Sequence, residues 1–270
     1  MKFTAITLAA VLTVCSGAAL AAANASSNHI AYMSGAGEPW NVSSNADAMN
    51  VAFGAGHWDR IDFNSPDWNS YDFVYVDGGA QHGADFKTFV TGNQATIESY
   101  VGSGGRMFLN AATWNLGGDT YALGLGSLTT EGGANGNSGY SGNGNLTAAG
   151  VGVGLSAFGA GSSWSGNSFA HNVVSQDPGA GFTTFITGDQ GQSILMGAAY
   201  FDGYLLVGGQ TSSYFHSANG AGNPFQLRVN ELTFGARVAG VAAVPEPETY
   251  ALMLVGLGVF AMRLRKGRND

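Results

Sequence analysis

The chain has 270 residues, of which 43 are glycine and only 10% are charged, against about a quarter in ordinary globular chains. Between Ser26 and Ala243 it carries fifteen acidic against five basic residues, a net charge of −10 with histidine neutral. Such a surface repels nucleic acid, whose binding relies on Lys and Arg displacing phosphate counterions.

The amino terminus reads as an export signal. Lys2 is a minimal positive start, Phe3 to Ala22 is almost uncharged and apolar, and Ala23-Asn24-Ala25 has the small-x-small pattern of a signal-peptidase site. Cleavage is expected after Ala25, with Ala21 or Ala23 as alternatives, which makes residues 1–25 a signal peptide and 26–243 a single exported domain. Cys15 is the one cysteine and lies inside the signal. Val14 before it is branched where a lipoprotein site needs a small residue. The mature chain is therefore expected to have no disulfide, thiolate metal site or cysteine nucleophile.

The body begins with alternating strand and helix patterns. His29 to Met33 is a short apolar run into Ser34-Gly35-Ala36-Gly37, a strand and turn. Pro39 to Phe53 reads as a short helix, Trp58 to Phe63 as a half-buried strand, and Tyr71 to Val76 as a central strand that breaks at Asp77-Gly78-Gly79. Phe86 to Val101 has helical spacing interrupted by Gly92. It stops at Gly102-Ser103-Gly104-Gly105, and Arg106 to Asn110 is again a strand. Strand, helix, Gly-Gly and strand in this order predict a parallel crossover.

Residues 115–168 are dominated by Gly, Asn and Ser and read as a long, partly ordered insertion. Phe182 to Ile186, Ser193 to Met196 and Tyr204 to Val207 read as strands, and Pro224 to Phe234 as a terminal helix. The expected fold class is α/β, a mostly parallel sheet with flanking helices. The alternative is an all-β sandwich.

The stretch 71–111 resembles the class I glutamine amidotransferase-like domains of flavodoxin-like fold. The features that carry this are Val76-Asp77-Gly78-Gly79, the helix end Ser99 to Gly105, and the strand Arg106 to Asn110. His171-Asn172-Val173-Val174, Leu205 to Gly209 and Asn230-Glu231-Leu232 are weaker echoes. The resemblance implies a flavodoxin-like sheet. Where catalytic members carry a cysteine in the strand-to-helix turn, this chain has Asn110-Ala111-Ala112-Thr113-Trp114, so thiol chemistry does not carry over.

Residues 244–270 have three parts. Val244-Pro245-Glu246-Pro247-Glu248 is extended and poor in backbone donors. Tyr250 to Met262 is apolar but shorter than the ~20 residues of a comfortable span. Arg263, Arg265, Lys266 and Arg268 form a basic cluster that holds such a tail on the cytoplasmic side. This order resembles the PEP-CTERM sorting signal of Gram-negative bacteria. The resemblance implies recognition by an exosortase near Pro245, Glu246 and Pro247, transient anchoring in the inner membrane, and release to the cell surface or an extracellular polysaccharide matrix.

Catalytic patterns are sparse. There is no Gly-x-Ser-x-Gly elbow, and the histidines at 29, 57, 82, 171 and 216 stand singly, so no metal or cofactor is implied. Ligands of open parallel sheets sit beyond the carboxyl ends of the strands. There Ser34, Asp77, Gly78, His82 and Asn110 form a candidate ligand crevice, in which Asp77 beside His82 does acid/base work or binds a sugar hydroxyl, or else caps its own turn. Of Trp40, Trp58, Trp68, Trp114 and Trp164, the last, in the polar stretch, is the first choice for stacking on sugars. The reading that follows is a non-catalytic surface or matrix protein that binds exopolysaccharide or surface proteins. The alternative is a secreted hydrolase-like enzyme.

Overall fold

A computed structural model describes residues 29–113, 120–124, 128–132, 141–176, 180–211 and 222–238. Ala25, Pro245, Glu246, Pro247, Arg263, Arg265, Lys266, Arg268 and Trp114 lie outside the described residues.

The fold is mixed α/β around a nine-stranded sheet. Its first half is parallel. β1 (Ile30–Met33) pairs with β2 (Asp59–Ile61) on one side and β3 (Phe73–Asp77) on the other, and β4 (Arg106–Asn110) follows. β12 (Gly203–Gly208) is the turning point: it lies parallel to β4 and antiparallel to β11 (Ser193–Tyr200). From there β10 (Thr183–Thr187), β7 (Ser141–Leu146) and β8 (Ser163–Ala170) continue antiparallel to the edge. The all-β sandwich is overturned by the parallel half and the helices that cross it.

Alternation along the central strands sorts the core into two layers. Val74, Val76, Met107, Leu109, Leu205 and Val207 face α2 (Gly83–Gly92) and α3 (Gln94–Gly102). Tyr32, Phe73, Tyr75, Phe108 and Leu206 face α1 (Ser44–Phe53) and α5 (Pro224–Arg237). With both faces covered, β3 is buried at all five positions, as its unbroken apolar run requires. Each large side chain so buried contributes roughly 1.5–3 kcal/mol.

The helix expected over 86–101 is two helices. Asn93 leaves helical geometry at φ −116° and ψ 15°, and its side-chain amide donates to the Phe89 carbonyl at 2.8 Å, closing α2. Gly105 is required by packing: a Cβ there would fall within the Tyr100 ring, whose hydroxyl donates to the Tyr71 and Arg106 carbonyls at 2.9 Å. α5 starts on Asn223, whose side chain accepts from the Gln226 N–H at 3.1 Å, with Pro224 in the first turn.

The Gly/Asn/Ser-rich stretch contributes regular structure. β5 (Thr120–Gly124) and β6 (Leu128–Gly132) join β9 (Asn172–Ser175) in a second, three-stranded antiparallel sheet. β7, the short α4 (Ala148–Gly152) and β8 build the far edge of the main sheet. Glycine serves packing here, since the Phe169 ring occupies the space a Cβ at Gly144 would need. Trp164 is correspondingly 1% exposed, stacked on Phe169 at 5.8 Å, with its indole N–H donating to the Ala160 carbonyl at 3.0 Å. The expectation that Trp164 offers a sugar-stacking face at the surface is corrected by this burial.

Candidate functional site

The chain passes from β1 outward to β2 and then crosses back to β3, so the connections diverge between β1 and β3. Open sheets leave a crevice at such a point. Ser34 follows β1, Asp77 ends β3 and Asn110 ends β4, so the strand ends bring three of the five expected residues to one place. Gly78 and His82 follow on the loop after β3.

The carboxylate of Asp77 is fully engaged from within. Its Oδ1 accepts from the Tyr75 hydroxyl at 3.0 Å and from Asn110 Nδ2 at 2.6 Å. Its Oδ2 accepts from the Gly79 N–H at 3.2 Å, a local cap on the turn. Asn110 Nδ2 also donates to the Gln210 carbonyl at 2.9 Å, and its own carbonyl accepts from the Gly78 N–H at 2.9 Å. Gly78 has no room for a side chain: a Cβ would sit 2.5 Å from Cγ of Phe86.

His82 packs its ring against Gly35, and its Nε2 is buried with no hydrogen-bond partner. Burial pushes the imidazole below its ordinary range, partly opposed by Asp77. Ser34 is reached from β2, where Arg60 Nη2 donates to its hydroxyl at 2.7 Å. The same guanidinium pairs with Glu38 at 2.5 Å, and Tyr32 donates to the other Glu38 oxygen at 3.1 Å. Burial raises the Glu38 carboxyl despite Arg60.

A strap closes the crevice from above. Pro39 packs over Gly79, Gln81 donates to the Glu38 carbonyl at 3.0 Å, and the Trp40 N–H donates to Gln81 Oε1 at 3.4 Å. Trp40, Asn41 and Ala80 hold φ of 59°, 55° and 52°, left-handed values that side chains other than glycine seldom adopt. Ser34, Asp77, His82 and Asn110 are each no more than 2% exposed. The five residues are together, but they form a buried polar joint, not an open cleft.

Behind this joint lies a second polar layer. Arg228 of α5 faces Glu231 at 3.4 Å and lies over the rings of Tyr75 and Phe108, 5.5 and 5.3 Å from their centroids. Gln210 Nε2 donates to Glu231 Oε1. Burial raises the Glu231 carboxyl, and burial followed by Asp77 raises the Tyr32 phenol. In the Tyr75 phenol burial raises the pKa most, and Arg228 only partly opposes it. The phenols thus stay protonated as donors. The sequence signal was Arg228 and Glu231 on the same side of α5 as Leu227 and Leu232, charges inside an apolar stripe. Among the described residues no group of three or more His, Cys, Asp or Glu could hold a metal ion.

Comparison with known proteins adds one firm finding. The PEP-CTERM protein-sorting motif matches residues 243–268. The chain is therefore an exported protein of the kind sorted by an exosortase. No curated protein matches it. Among solved structures it is similar to the β-galactosidase of Bacillus circulans sp. alkalophilus at 13% identity and a TM-score of 0.44. That match covers 77% of this chain and 30% of the enzyme, so this chain spans under a third of it. A cytoplasmic protein of Salmonella typhimurium matches at 11% identity and a TM-score of 0.46, over 78% of this chain and 99% of its own. A second one, from Salmonella typhimurium LT2, matches at 12% and 0.42, over 76% and 96%. Scores and identities this low carry no argument. None of these matches supports the resemblance of 71–111 to amidotransferase-like domains. Among the described residues no helix is long and apolar enough to cross a membrane.

Proposed function

We propose that residues 26–243 form a non-catalytic surface module. It is exported behind the 1–25 signal, anchored briefly in the inner membrane by the 244–270 tail, and left at the cell surface or in the exopolysaccharide matrix after exosortase cleavage. The sorting motif at 243–268 carries this reading. It is supported by the state of the crevice: the Asp77 carboxylate is consumed by three internal donors. A general acid or base must reach the proton it moves, and Asp77 is 2% exposed with donors on both oxygens. The strand order β2-β1-β3-β4-β12 of the parallel half supports a flavodoxin-like reading of that half, extended by four antiparallel strands.

With Trp164 buried, the contact with glycan falls to another aromatic. Phe201 is 72% exposed in the two-residue turn between β11 and β12, with Tyr200 edge-on at 4.9 Å. Its φ of 49° is strained for a phenylalanine.

The test compares binding of the mature protein to the producer's exopolysaccharide with turnover of a glycoside and ester panel. Phe201→Ser is expected to weaken binding by about 1–3 kcal/mol, the value of one large apolar side chain. Asp77→Asn with His82→Gln is expected to leave binding unchanged. Turnover of any panel substrate that this folded double variant abolishes would overturn the module in favour of an enzyme.

A further inference from the structure

Between α1 and α5, on the face opposite α2 and α3, lies a hollow of about 640 Å³. Val51 forms one rim, the loop from Val153 to Phe158 the other, and Val229 and Phe234 the floor. The rim stands out into water: Phe158 is 87% exposed, Val51 60%, Val153 37%, and the neighbouring Val151 50%. Phe158 is held at φ 56° and ψ 32°, a left-handed conformation that side chains rarely adopt.

Two observations bear on what could cover this face. The first is charge. In a body with fifteen acidic residues, the one charged side chain lining the hollow is Arg237, which is exposed. The second is the course of the chain. Val238, the last described residue, lines the same hollow, and its carbonyl is fixed by Arg106 Nε at 2.7 Å. The apolar run of the tail begins at Tyr250, twelve residues on. Fully extended, such a linker reaches about 40 Å, and as a flexible coil about 20 Å. A body anchored by that tail cannot leave the bilayer's neighbourhood, and this face starts next to its anchor point.

We propose that the α1/α5 face seats on the anionic bilayer that receives the tail, with Phe158 and its flanking valines entering the boundary between headgroups and acyl chains. The proposal rests on the sorting-tail reading. Apolar side chains gain by leaving water at that boundary, and Arg237 at the rim meets lipid phosphates. The acidic remainder is repelled by the same phosphates, so the end of this face that carries Arg237, not the end that carries Asp47, is the one that can approach. Tethering raises the effective concentration into the millimolar range, so a contact too weak to hold the free body can hold the tethered one. Cleavage of the tail then removes the tether and frees the body.

The test uses the signal-free chain, residues 26–270, which contains no cysteine, reconstituted by its tail into phosphatidylethanolamine/phosphatidylglycerol vesicles. An environment-sensitive fluorophore is placed at Val151→Cys, or at Asn64→Cys, an exposed control position. Bromolipids are expected to quench the label at 151 well above the label at 64. Adding Phe158→Ser is expected to lower the seated fraction roughly tenfold, the loss of one buried aromatic. Val51→Ser is expected to act in the same direction. Equal quenching at the two positions, in a chain that stays with carbonate-washed vesicles, overturns the docking face alone. Protection at 151 that is insensitive to bromolipid overturns it too, pointing to a second copy where it grows with protein density, or to exosortase where it needs that enzyme. A chain that washes off the vesicles sinks the tail reading and this proposal with it.

Discussion

Asp77, a candidate for acid/base work from sequence, is tied into the fold by its own hydrogen bonds. Its two oxygens hold the Tyr75 hydroxyl, the Asn110 amide and the Gly79 N–H, all out of water. Asp77→Ala strips the buried Tyr75 hydroxyl and one of the two Asn110 amide N–H groups of their acceptor, and urea unfolding is expected to show a loss of about 2–4 kcal/mol. His171 gives a pH dependence. Burial lowers its pKa to about 4, so it is neutral in the fold while the unfolded chain still takes up a proton near pH 6.5. Its contribution is intact above that pH. It is lost progressively as the pH falls toward about 4, by up to about 3 kcal/mol, because the unfolded state then binds more protons. Glu231, raised by burial, works in the opposite sense. The histidine is therefore read from the difference between the wild-type and His171→Gln stability curves, which is expected to be constant above pH 6.5 and to shift against the wild type as the pH falls toward about 4. A difference that does not change with pH would contradict this account.

At the scale of elements, α5 depends on a buried charge pair and the far edge of the sheet on one carboxylate. α5 carries Arg228 and Glu231 into the core, both at most 2% exposed. Removing one member strands the other without its partner. Arg228→Met is expected to cost about 3–5 kcal/mol, with much of it recovered when Glu231→Leu is added. A double-mutant cycle in urea measures this directly. The edge is held by Asp189, whose Oδ2 accepts from the Gly142 and Asn143 N–H groups at 3.0 and 3.3 Å, and whose Oδ1 accepts from Asn143 Nδ2 at 2.5 Å. Asp189→Ala is expected to speed amide exchange in β7 and β8 while β3 and β4 stay protected. Uniform acceleration through the sheet would mean that the clamp is not local.

For the whole molecule the prediction concerns processing. In a host with an exosortase the extracellular protein is expected to lack Tyr250 to Asp270 by intact mass. Glu246→Ala is expected to leave the chain in the inner membrane. Extracellular protein that keeps Arg263 to Arg268 would contradict the sorting reading at its root.

The sequence by itself determined what is local. Sorting is written in contiguous residues, and the strands at 30–33, 73–77 and 106–110 follow from apolar runs that end in glycine or polar turns. The ends of β1, β3 and β4 could be placed together because a parallel crossover constrains where its strands finish. Tertiary structure decided what depends on distant pairing. No periodicity says that β12 pairs with both β4 and β11, or that glycine-rich residues 141–146 and 163–170 extend the main sheet. Gly144 and Gly78 read as loop glycines, yet their missing side chains make room for Phe169 and Phe86. Trp164 read as a surface aromatic because its neighbours are polar, and burial of its ring against Phe169 comes from a strand pairing that composition cannot reveal. The same holds for the crevice: its residues were legible, but their engagement with Tyr75, Asn110, Gln210 and Glu231 links positions up to a hundred residues apart. Hydrogen bonds of that span are fixed by how the layers pack, not by any spacing along the chain.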